Sequence, residues 1–427
     1  MKRMGTSYKS APKKKLGCSV FKGIDLYNSP DNVSPERSPS APNMIRDVPG
    51  KVRKRMGYKK NEEYDGRING MYAFTLSAEE TTLVHAGTKL YANKTLVYSN
   101  MNDARSKGWQ LGEKLYISDG GTFIYYDGTT AAPVTEIAYV PRVVIGRSPS
   151  GGGTPHEQLN LLSAYWSEGF LSDGSAAVYQ LSYDGLDDDF IEVKVMTAAN
   201  VWTEMVLGTN YTFDAANGTV TFLTGSIPAQ SPITGADNVE IKAKKTRADY
   251  VSRIIKCDMS ALFGVNAASD RLFVTGNPDF VNYDWFSEMN NAAYFPATAY
   301  SILGMNTRIK GYSIVNDRLA AHKQGDSDGR NIILREGKMQ DGKAAFPIVN
   351  ALQGAGTASG HTIAYLTTEP LFLSESGIYA ITSADLTGER YTQNRSMFIN
   401  SALAVEALCD ATAVVFNDFY VLSVGGK

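Results

Sequence analysis

The stretch GEKLYISDGGTFIYYDG, residues 112–128, predicts a β-hairpin and decides how the rest of the chain is interpreted. Leu115–Ile117 and Phe123–Tyr126 are apolar runs of strand length, and both are rich in β-branched or aromatic residues. The residues between them tolerate positive φ, which a short hairpin turn needs. We therefore interpret them as a structural turn rather than a catalytic loop. These turn residues are Ser118, Asp119, Gly120 and Gly121.

Related strands recur along the chain and indicate a repeat. From the third copy onward, successive copies lie 47, 52 and 48 residues apart, which suits a four-stranded blade. A meander of this size cannot bury both faces alone, whereas blades stacked in a ring cover one another. The prediction is an all-β chain built as a β-propeller of about six blades. The copies are aligned on Leu83, Leu115, Leu272, Leu319, Leu371 and Phe419.

One gap in the repeat is far longer than the others and predicts an inserted domain. The second and third copies lie 157 residues apart, so one blade of about 50 residues leaves an insertion of about 100. Strand patterns fill this insertion, and Asn217-Gly218 is a strong hairpin signal. We predict a small β-sandwich-like domain over residues 147–247. The first blades then occupy residues 61–146, and the remaining blades occupy residues 248–427.

The N-terminal 60 residues differ in charge from the rest of the chain. They hold 15 Lys or Arg and 4 Asp or Glu, whereas the remainder holds 27 basic and 40 acidic residues. Residues 1–16 are expected to form a flexible basic arm. Five prolines between residues 30 and 49 then forbid a long helix or a central strand, which predicts an extended strap.

A basic cluster ends the strap. It is either a solvated charge run or a docking surface for nucleic acid or for an acidic protein. No aromatic stacking pattern or base-reading motif accompanies it. The cluster comprises Lys51, Arg53, Lys54 and Arg55.

The last copy of the repeat is expected to form an incomplete blade. The pattern predicts only one strand for this copy, the one aligned on Phe419, before the sequence ends at Lys427. Three explanations stay open: the strand-like segment Val20–Tyr27 completes this blade, a partner chain supplies the strands, or the polypeptide is a shortened product.

Composition and motifs argue against several classes of protein. No run approaches the roughly 18 apolar residues of a membrane span, and no apolar segment follows the N-terminal charges as in a secretory signal. Three distant cysteines and four scattered histidines offer no disulfide framework or metal site, so cytoplasmic synthesis without metal or cofactor is expected. Familiar catalytic motifs are missing, and the acidic run Asp187–Asp189 lacks the ligand spacing of a calcium loop. We expect a non-enzyme.

Three segments are similar to proteins of one known family. FKGIDLYNSPDNVSPERSPSAPNMIRDVPGKVRKRMGY (21–58), ETTLVHAGTKLYA (80–92) and NDARSKGWQLGEKLYISDGG (102–121) resemble tailed-bacteriophage proteins of the packaged-DNA stabilisation and tail-nozzle type. The TFDAANGTVTF hairpin (212–222) is also similar to small β domains of phage tail proteins. The resemblance covers mainly residues 20–130 and rests on structural motifs.

This resemblance implies a structural role in the virion, at the tail or neck. It implies a homo-oligomeric ring, expected to be a hexamer, below the portal and its adaptor. Such a ring extends the DNA exit channel and retains the packaged DNA, which passes without sequence-specific binding. An acidic body suits this role because phosphate neutralisation would create affinity and slow passage. The basic cluster would dock on the adaptor, on another tail protein or on a neighbouring subunit.

Two other functions remain open from the sequence. Aromatic-rich strands and the inserted domain are also compatible with a carbohydrate- or receptor-binding propeller of the phage tail. The turn at residues 118–122 resembles the Asp-box of sialidase-like propellers, which raises the third possibility of a glycosidase. That activity would require two carboxylates across a common cleft.

Overall fold

The chain is an all-β protein, as its strand patterns predict. A computed structural model describes residue 13 and residues 17–325, 327–383 and 390–425. Strands hold 44% of the residues and helices 6%. The predicted flexible arm, residues 1–16, lies outside the described residues except for Lys13.

Six antiparallel sheets, numbered 1 to 6 in chain order, account for most of the strands. In each of them neighbouring strands follow one another along the chain, except that a separate hairpin at residues 338–345, the sheet 4 hairpin, lies between the last two strands of sheet 4. Each four-stranded sheet is therefore a meander. Sheet 1 contains Ile68–Leu76, Glu79–Ala86, Lys89–Ala92 and Thr95–Tyr98; sheet 2 contains Lys107–Leu111, Lys114–Ser118, Phe123–Tyr126 and Ala131–Pro133. Sheet 3 contains Met259–Leu262, Leu272–Thr275, Tyr283–Phe286 and Tyr300–Ile302; sheet 4 contains Ile309–Val315, Arg318–Lys323, Arg330–Arg335 and Ile348–Gln353. Sheet 5 contains Ala364–Leu366, Glu369–Ser374, Gly377–Ser383 and Arg390–Asn394; sheet 6 contains Thr412–Phe416 and Phe419–Ser423.

The residues that align the sequence repeat occupy equivalent positions in the structure. Each of the six lies in the second strand of its sheet. The last copy is therefore longer than predicted, because Thr412–Phe416 precedes the aligned strand and pairs with it. The strand Thr412–Phe416 was missed because the acidic and alanine-rich residues before it weaken the alternating pattern.

Neighbouring sheets share apolar cores. Successive side chains of a strand point to opposite faces, and in sheet 2 this alternation separates two partners. Leu115 and Ile117 pack in a core with sheet 1, whereas Tyr116 packs in a core with sheet 3. The second strand of sheet 2 is therefore buried on both faces.

The same division continues through the later sheets. Leu272 and Val274 face the core shared with sheet 2, and Phe273 faces the core shared with sheet 4. In sheet 4, Leu319 packs with sheet 3 and Ala320 packs with sheet 5. Sheets 5 and 6 share a further core, which contains Leu371, Leu373, Ile378, Ala380, Tyr420 and Leu422.

The inserted domain is a two-sheet sandwich with its own core. Trp166, Tyr179 and Ile241 are fully buried between the two sheets. Its first strand, Arg142–Arg147, begins before the predicted boundary at residue 147. The segment SPSGGGTP, residues 148–155, has the composition of a linker and set that boundary, but it follows this strand instead of preceding it. One sheet contains Arg142–Arg147, Thr154–Pro155, Tyr165–Phe170, Ile191–Ala198, Val201–Met205 and Val239–Lys244; the other contains Val178–Gln180, Tyr211–Asp214 and Thr219–Phe222.

The strap follows the surface with little regular structure. The backbone N–H of Leu26 donates to the carbonyl of Phe398 at 2.7 Å, and the Arg37 guanidinium lies 3.5 Å from the centre of the Phe398 ring. Over the residues that the structure describes, segment Val20–Tyr27 forms no strand pairing with sheet 6. Its isolated bridges instead join Phe21 to Gly50 and Ile24 to Ser38, because the prolines turn the strap back on itself.

The remaining elements are short. They comprise the strap pair Met44–Ile45 and Arg53–Lys54, the hairpin Lys338–Gln340 and Lys343–Ala345, the α-helices Tyr250–Ile255 and Asn400–Leu403, and the 3-10 turns Pro30–Asn32, Val134–Ile137, Val265–Ala267, Gly360–Thr362 and Met397–Ile399.

A buried ion pair joins sheets 3 and 4. The guanidinium of Arg335 pairs with Asp284, and both side chains are almost completely buried. Arg335 also donates to the Phe346 carbonyl at 2.9 Å and to Ser301 Oγ at 2.7 Å, while Tyr312 donates to Asp284 at 3.2 Å. These contacts offset only part of the cost of desolvation, because Asp284 Oδ1 has no hydrogen-bond partner among the described residues and burial still raises the pKa of Asp284.

Removing one member of this pair should destabilise the protein strongly. We expect Arg335→Met or Asp284→Asn to lower the free energy of unfolding by about 3–5 kcal/mol, because each leaves a buried polar partner uncompensated. The double variant should lose less than the sum of the two single losses. Urea unfolding gives the free energy of unfolding of the unaltered protein, the two single variants and the double variant. Glu369→Gln, which breaks a half-exposed pair with Arg395, should cost less than about 1 kcal/mol; equal losses at both sites would contradict the prediction.

The turn between the first two strands of sheet 1 stores backbone strain. Ser77 and Ala78 have φ values of 51° and 69°, a geometry that Asn and Gly adopt more readily. Ala78→Gly should therefore raise the free energy of unfolding by about 0.5–1 kcal/mol. The matched change Ala73→Gly, in the exposed middle of strand Ile68–Leu76, should lower it by a similar amount. Thermal and urea unfolding compare the stability of the two variants. If Ala78→Gly destabilised the protein, the turn would not store strain at Ala78.

Candidate functional site

The predicted turn, Ser118–Gly121, joins the second and third strands of sheet 2. The Asp119 carboxylate is buried and accepts hydrogen bonds from the backbone N–H groups of Gly121 at 2.9 Å and Thr122 at 2.5 Å. It also accepts from Thr122 Oγ1 at 2.7 Å and from the backbone N–H of Asn102 at 2.8 Å. Asp119 thus ties the turn to the segment that enters sheet 2.

The basic cluster lies on the strap, away from the turn. All four side chains are exposed, and Arg53 and Lys54 belong to the short strand that pairs with Met44–Ile45. Arg53 bonds Asp47 at 2.6 Å, and Arg55 donates to Asn43 at 2.9 Å. These contacts fix two guanidinium groups within the strap and leave Lys51 and Lys54 facing solvent.

A polar cavity of about 510 Å³ lies where the six sheets meet. Each sheet contributes to it the segment that precedes its first strand. Sequence reasoning missed this site because the contributing residues are far apart along the chain. One contributor from each of sheets 1 to 6, in order, is Arg67, Arg105, Lys256, Arg308, His361 and Asp410.

Side-chain hydrogen bonds connect the first strands of neighbouring sheets and the segments that enter them. Tyr72 and Ser106 join sheets 1 and 2 at 2.6 Å, and the Trp109 indole donates to the Ser260 carbonyl of sheet 3 at 2.9 Å. Arg308 pairs with Asp258 at 2.6 Å between sheets 3 and 4. Arg105 donates to the Asp410 carbonyl at 3.1 Å, which links sheet 2 to the segment before sheet 6.

Burial and mutual repulsion disfavour the charged forms of several basic groups in the cavity. Burial lowers the pKa of Arg105, and the nearby Arg67 lowers it further. Burial likewise lowers the pKa of Lys310, with Arg308 adding to the effect. The pKa of His361 falls to about 3, through burial first and then through Lys107, Arg105 and Arg67. His361 is therefore neutral at physiological pH.

Three of the four aspartates that line the cavity already have hydrogen-bond or ion-pair partners. Asp119 is held by its turn, Asp103 accepts from the Asn69 amide at 2.8 Å, and Asp258 pairs with Arg308. Burial raises the pKa of Asp258, although Arg308 opposes this shift. The arrangement favours electrostatic binding of an anion over acid–base chemistry between two free carboxyl groups.

The other acidic candidate, Asp187–Asp189, contacts basic and hydroxyl groups of the insertion. Lys244 Nζ lies 2.5 Å from Asp189, and the Thr246 hydroxyl donates to Asp187 at 2.6 Å. Within the described residues, no cluster of three or more His, Cys, Asp or Glu side chains is placed to hold a metal ion. Over the same residues, no helix combines the length and apolarity needed to cross a membrane.

A signal for the cavity residues is present in the sequence, though faint. Arg67 and Arg308 immediately precede the first strands of sheets 1 and 4, and Arg105 stands two residues before that of sheet 2. Alignment of the copies on their first strands would have brought Arg67 and Arg308 into one column and Arg105 into the column before it. The alignment used the more apolar second strands instead.

Comparison with known proteins adds little. No protein-family model matches the chain, and no curated protein matches it. The extracellular domain of BT4673 from B. thetaiotaomicron is 10% identical, with a TM-score of 0.25; the match covers 77% of this chain and 34% of that one. This chain thus spans about a third of that protein. Kluyveromyces lactis Hsv2 is 9% identical, with a TM-score of 0.17, and the match covers 73% of this chain and 93% of that one. Neither likeness is close enough to support an inference about fold or function.

Two buried histidines should make the protein less stable as the pH falls. His361 and His322 both have pKa values lowered to about 3 by burial, whereas an unfolded histidine titrates near 6.5. The unfolded state therefore binds more protons below pH 6.5, and stability is lost as the pH falls. Between pH 6.5 and 5 we expect each histidine to contribute a slope of up to about 1.4 kcal/mol per pH unit.

Urea unfolding at several pH values measures this slope. The variant His361→Gln should reduce this slope by up to about 1.4 kcal/mol per pH unit and leave the contribution of His322, whereas His156→Gln, a change at an exposed position, should leave the slope unchanged. An NMR titration in which the His361 ring protonates near pH 6.5 would contradict the assignment.

Proposed function

We propose that the six sheets are the blades of a β-propeller, the last of them two-stranded. Two observations support this arrangement. Consecutive sheets share a core on alternate residues of their strands, as stacked blades would. The segments that enter all six sheets also line one cavity, as they would around a propeller axis.

We further propose that the protein is a structural component of a tailed-phage virion, with no enzymatic activity. The resemblance of the strap and of sheets 1 and 2 to tail-nozzle and DNA-stabilisation proteins suggests this role. The observation that carries the proposal is the exposure of the strap. Met56 is 78% exposed and Tyr58 is 87% exposed, beside a cluster of four cations. A large apolar side chain next to an aromatic ring and several cations is typical of a surface that a partner covers.

In this proposal the strap is an assembly segment. The basic cluster docks on an acidic surface of the portal adaptor, of another tail protein or of a neighbouring copy, and the copies form a homo-oligomeric ring, a hexamer. The ring would extend the DNA exit channel below the portal and retain the packaged DNA. The chain after position 60 carries 27 basic and 40 acidic residues, so its net charge repels phosphate and lets DNA pass without sequence-specific binding.

One observation favours a second candidate, a receptor-binding role of the inserted domain. The hairpin around residues 198–207 displays Val201, Val206 and Leu207, each more than half exposed, together with the partly exposed Trp202. An exposed apolar patch on a separate domain is suited to protein or glycan recognition. Saturable binding to a glycan or host surface that is lost when Val201, Trp202, Val206 and Leu207 are all changed to Ser would support this candidate over the first.

Purified particles test the virion role directly. We expect mass spectrometry and cryo-electron microscopy to find several copies per particle at the neck or tail. Presence of the protein in infected cells only as a free monomer, absent from particles, would refute the proposal.

Charge reversal tests the part played by the strap. Simultaneous change of Lys51, Arg53, Lys54 and Arg55 to Glu should reduce incorporation into particles at least tenfold without lowering Tm, because these side chains are exposed. Reversal of Lys338 and Lys343, which are exposed in the sheet 4 hairpin, is the control and should leave incorporation unchanged. If both variants were incorporated equally well, the basic cluster would not be part of the docking surface.

A further inference from the structure

The central cavity gathers positive charge from sheets that are distant in sequence. Arg67, Arg105 and Lys310 line it, and they belong to sheets 1, 2 and 4. In the part of the chain that the structure describes, none of the three forms an ion pair with a carboxylate. Lys107 lies nearby in an adjoining cavity that shares Met259 and Gly360 with the first.

Nearby carboxylates offset only part of the cost of keeping these cations together. Asp410 favours the charged form of Arg105 and Asp258 that of Lys310, but burial and the neighbouring cations still lower both pKa values. Arg67 and Arg105 are close enough for each to oppose the charge of the other, and the same holds for Arg308 and Lys310. Like charges at short range in a partly desolvated site raise the free energy of the folded state. An anion bound between them would remove this cost and would be held strongly in return.

Two groups in the cavity wall also lack hydrogen-bond partners among the described residues. The Nε atom of Arg105 is buried and has no hydrogen-bond partner among the described residues. The His361 ring, which also lines the cavity, has no hydrogen-bond partner over the same residues. A neutral imidazole can donate one hydrogen bond. These donors would be satisfied by an oxygen-rich ligand.

We propose that the central cavity binds an anion bearing phosphate groups, with Arg67, Arg105 and Lys310 neutralising its charge and His361 donating a hydrogen bond. Several cations around one space suit a multivalent phosphate better than a single carboxylate, which would neutralise only one of them. Arginine matches the geometry of phosphate oxygens through paired N–H donors, and lysine adds a point charge. The volume of about 510 Å³ lies within the range of small-ligand sites. This binding site does not depend on the proposed virion role.

Two sources of phosphate must be distinguished, a small free anion and the backbone of a nucleic acid. Isothermal titration calorimetry and thermal unfolding of the full chain, with pyrophosphate in one arm and a 20-nucleotide single-stranded DNA in the other, separate them. We expect saturable pyrophosphate binding and a rise in Tm beyond that produced by sodium chloride at equal ionic strength. DNA should bind at least tenfold more weakly than pyrophosphate, because the cavity holds only a few phosphate groups.

Lys310→Met is the decisive variant. It should weaken pyrophosphate binding at least tenfold while the Tm of the unliganded protein stays equal or rises, because it removes a partly buried charge whose desolvation and repulsion by Arg308 outweigh its attraction to Asp258. Lys343→Met, at an exposed position in a hairpin, is the matched control and should bind like the unaltered protein.

The proposal is overturned by any of three results. These are the absence of saturable pyrophosphate binding, unchanged affinity in Lys310→Met, and DNA binding that depends on Lys310 in the absence of pyrophosphate binding. A loss of affinity in Lys310→Met accompanied by a large fall in Tm would point to misfolding. In that case Arg67→Gln, at an exposed side chain, takes its place with the same expected loss of affinity.

Discussion

The structure depends on one constraint, that the inner strands of sheets 2 to 5 are buried on both faces. In Phe123–Tyr126 and in Leu272–Thr275 every residue is buried. Because successive side chains point to opposite faces of a sheet, such a strand needs a cover on each side. The neighbouring sheets supply both covers, so no sheet of this body could be stable in isolation. The division of Leu115, Tyr116 and Ile117 between two cores is the clearest case.

Polar contacts then fix how neighbouring sheets are placed against each other. Apolar packing is non-directional, whereas the Asp284–Arg335 pair and the hydrogen bond from Trp109 to the Ser260 carbonyl each require one geometry. Lys323 is fully buried as well, and its ammonium donates to the carbonyls of Leu303 and Met305. Such buried charges are costly unless every partner is in place, so they disfavour alternative arrangements of the sheets.

The cavity is a consequence of this arrangement. Each sheet begins near the same point, so the residues before its first strand are brought together whatever their separation in the chain. The cations among them therefore meet in a partly desolvated space, where their mutual repulsion favours a bound anion. The strap lies outside the body and bears a second basic group of residues, which solvent screens and a partner surface can reach.

The sequence by itself determined the all-β class, the six repeated strands, the inserted β domain and the exposed strap. These follow from local alternation, turn residues and proline, which act over a few residues and can be read directly. It also indicated the turn at Asp119. Only the tertiary structure decided that Arg67, Arg105, Lys310 and His361 share one cavity, and that Val20–Tyr27 pairs within the strap instead of with sheet 6. Both depend on contacts between segments far apart in the chain, for which no local pattern carries information.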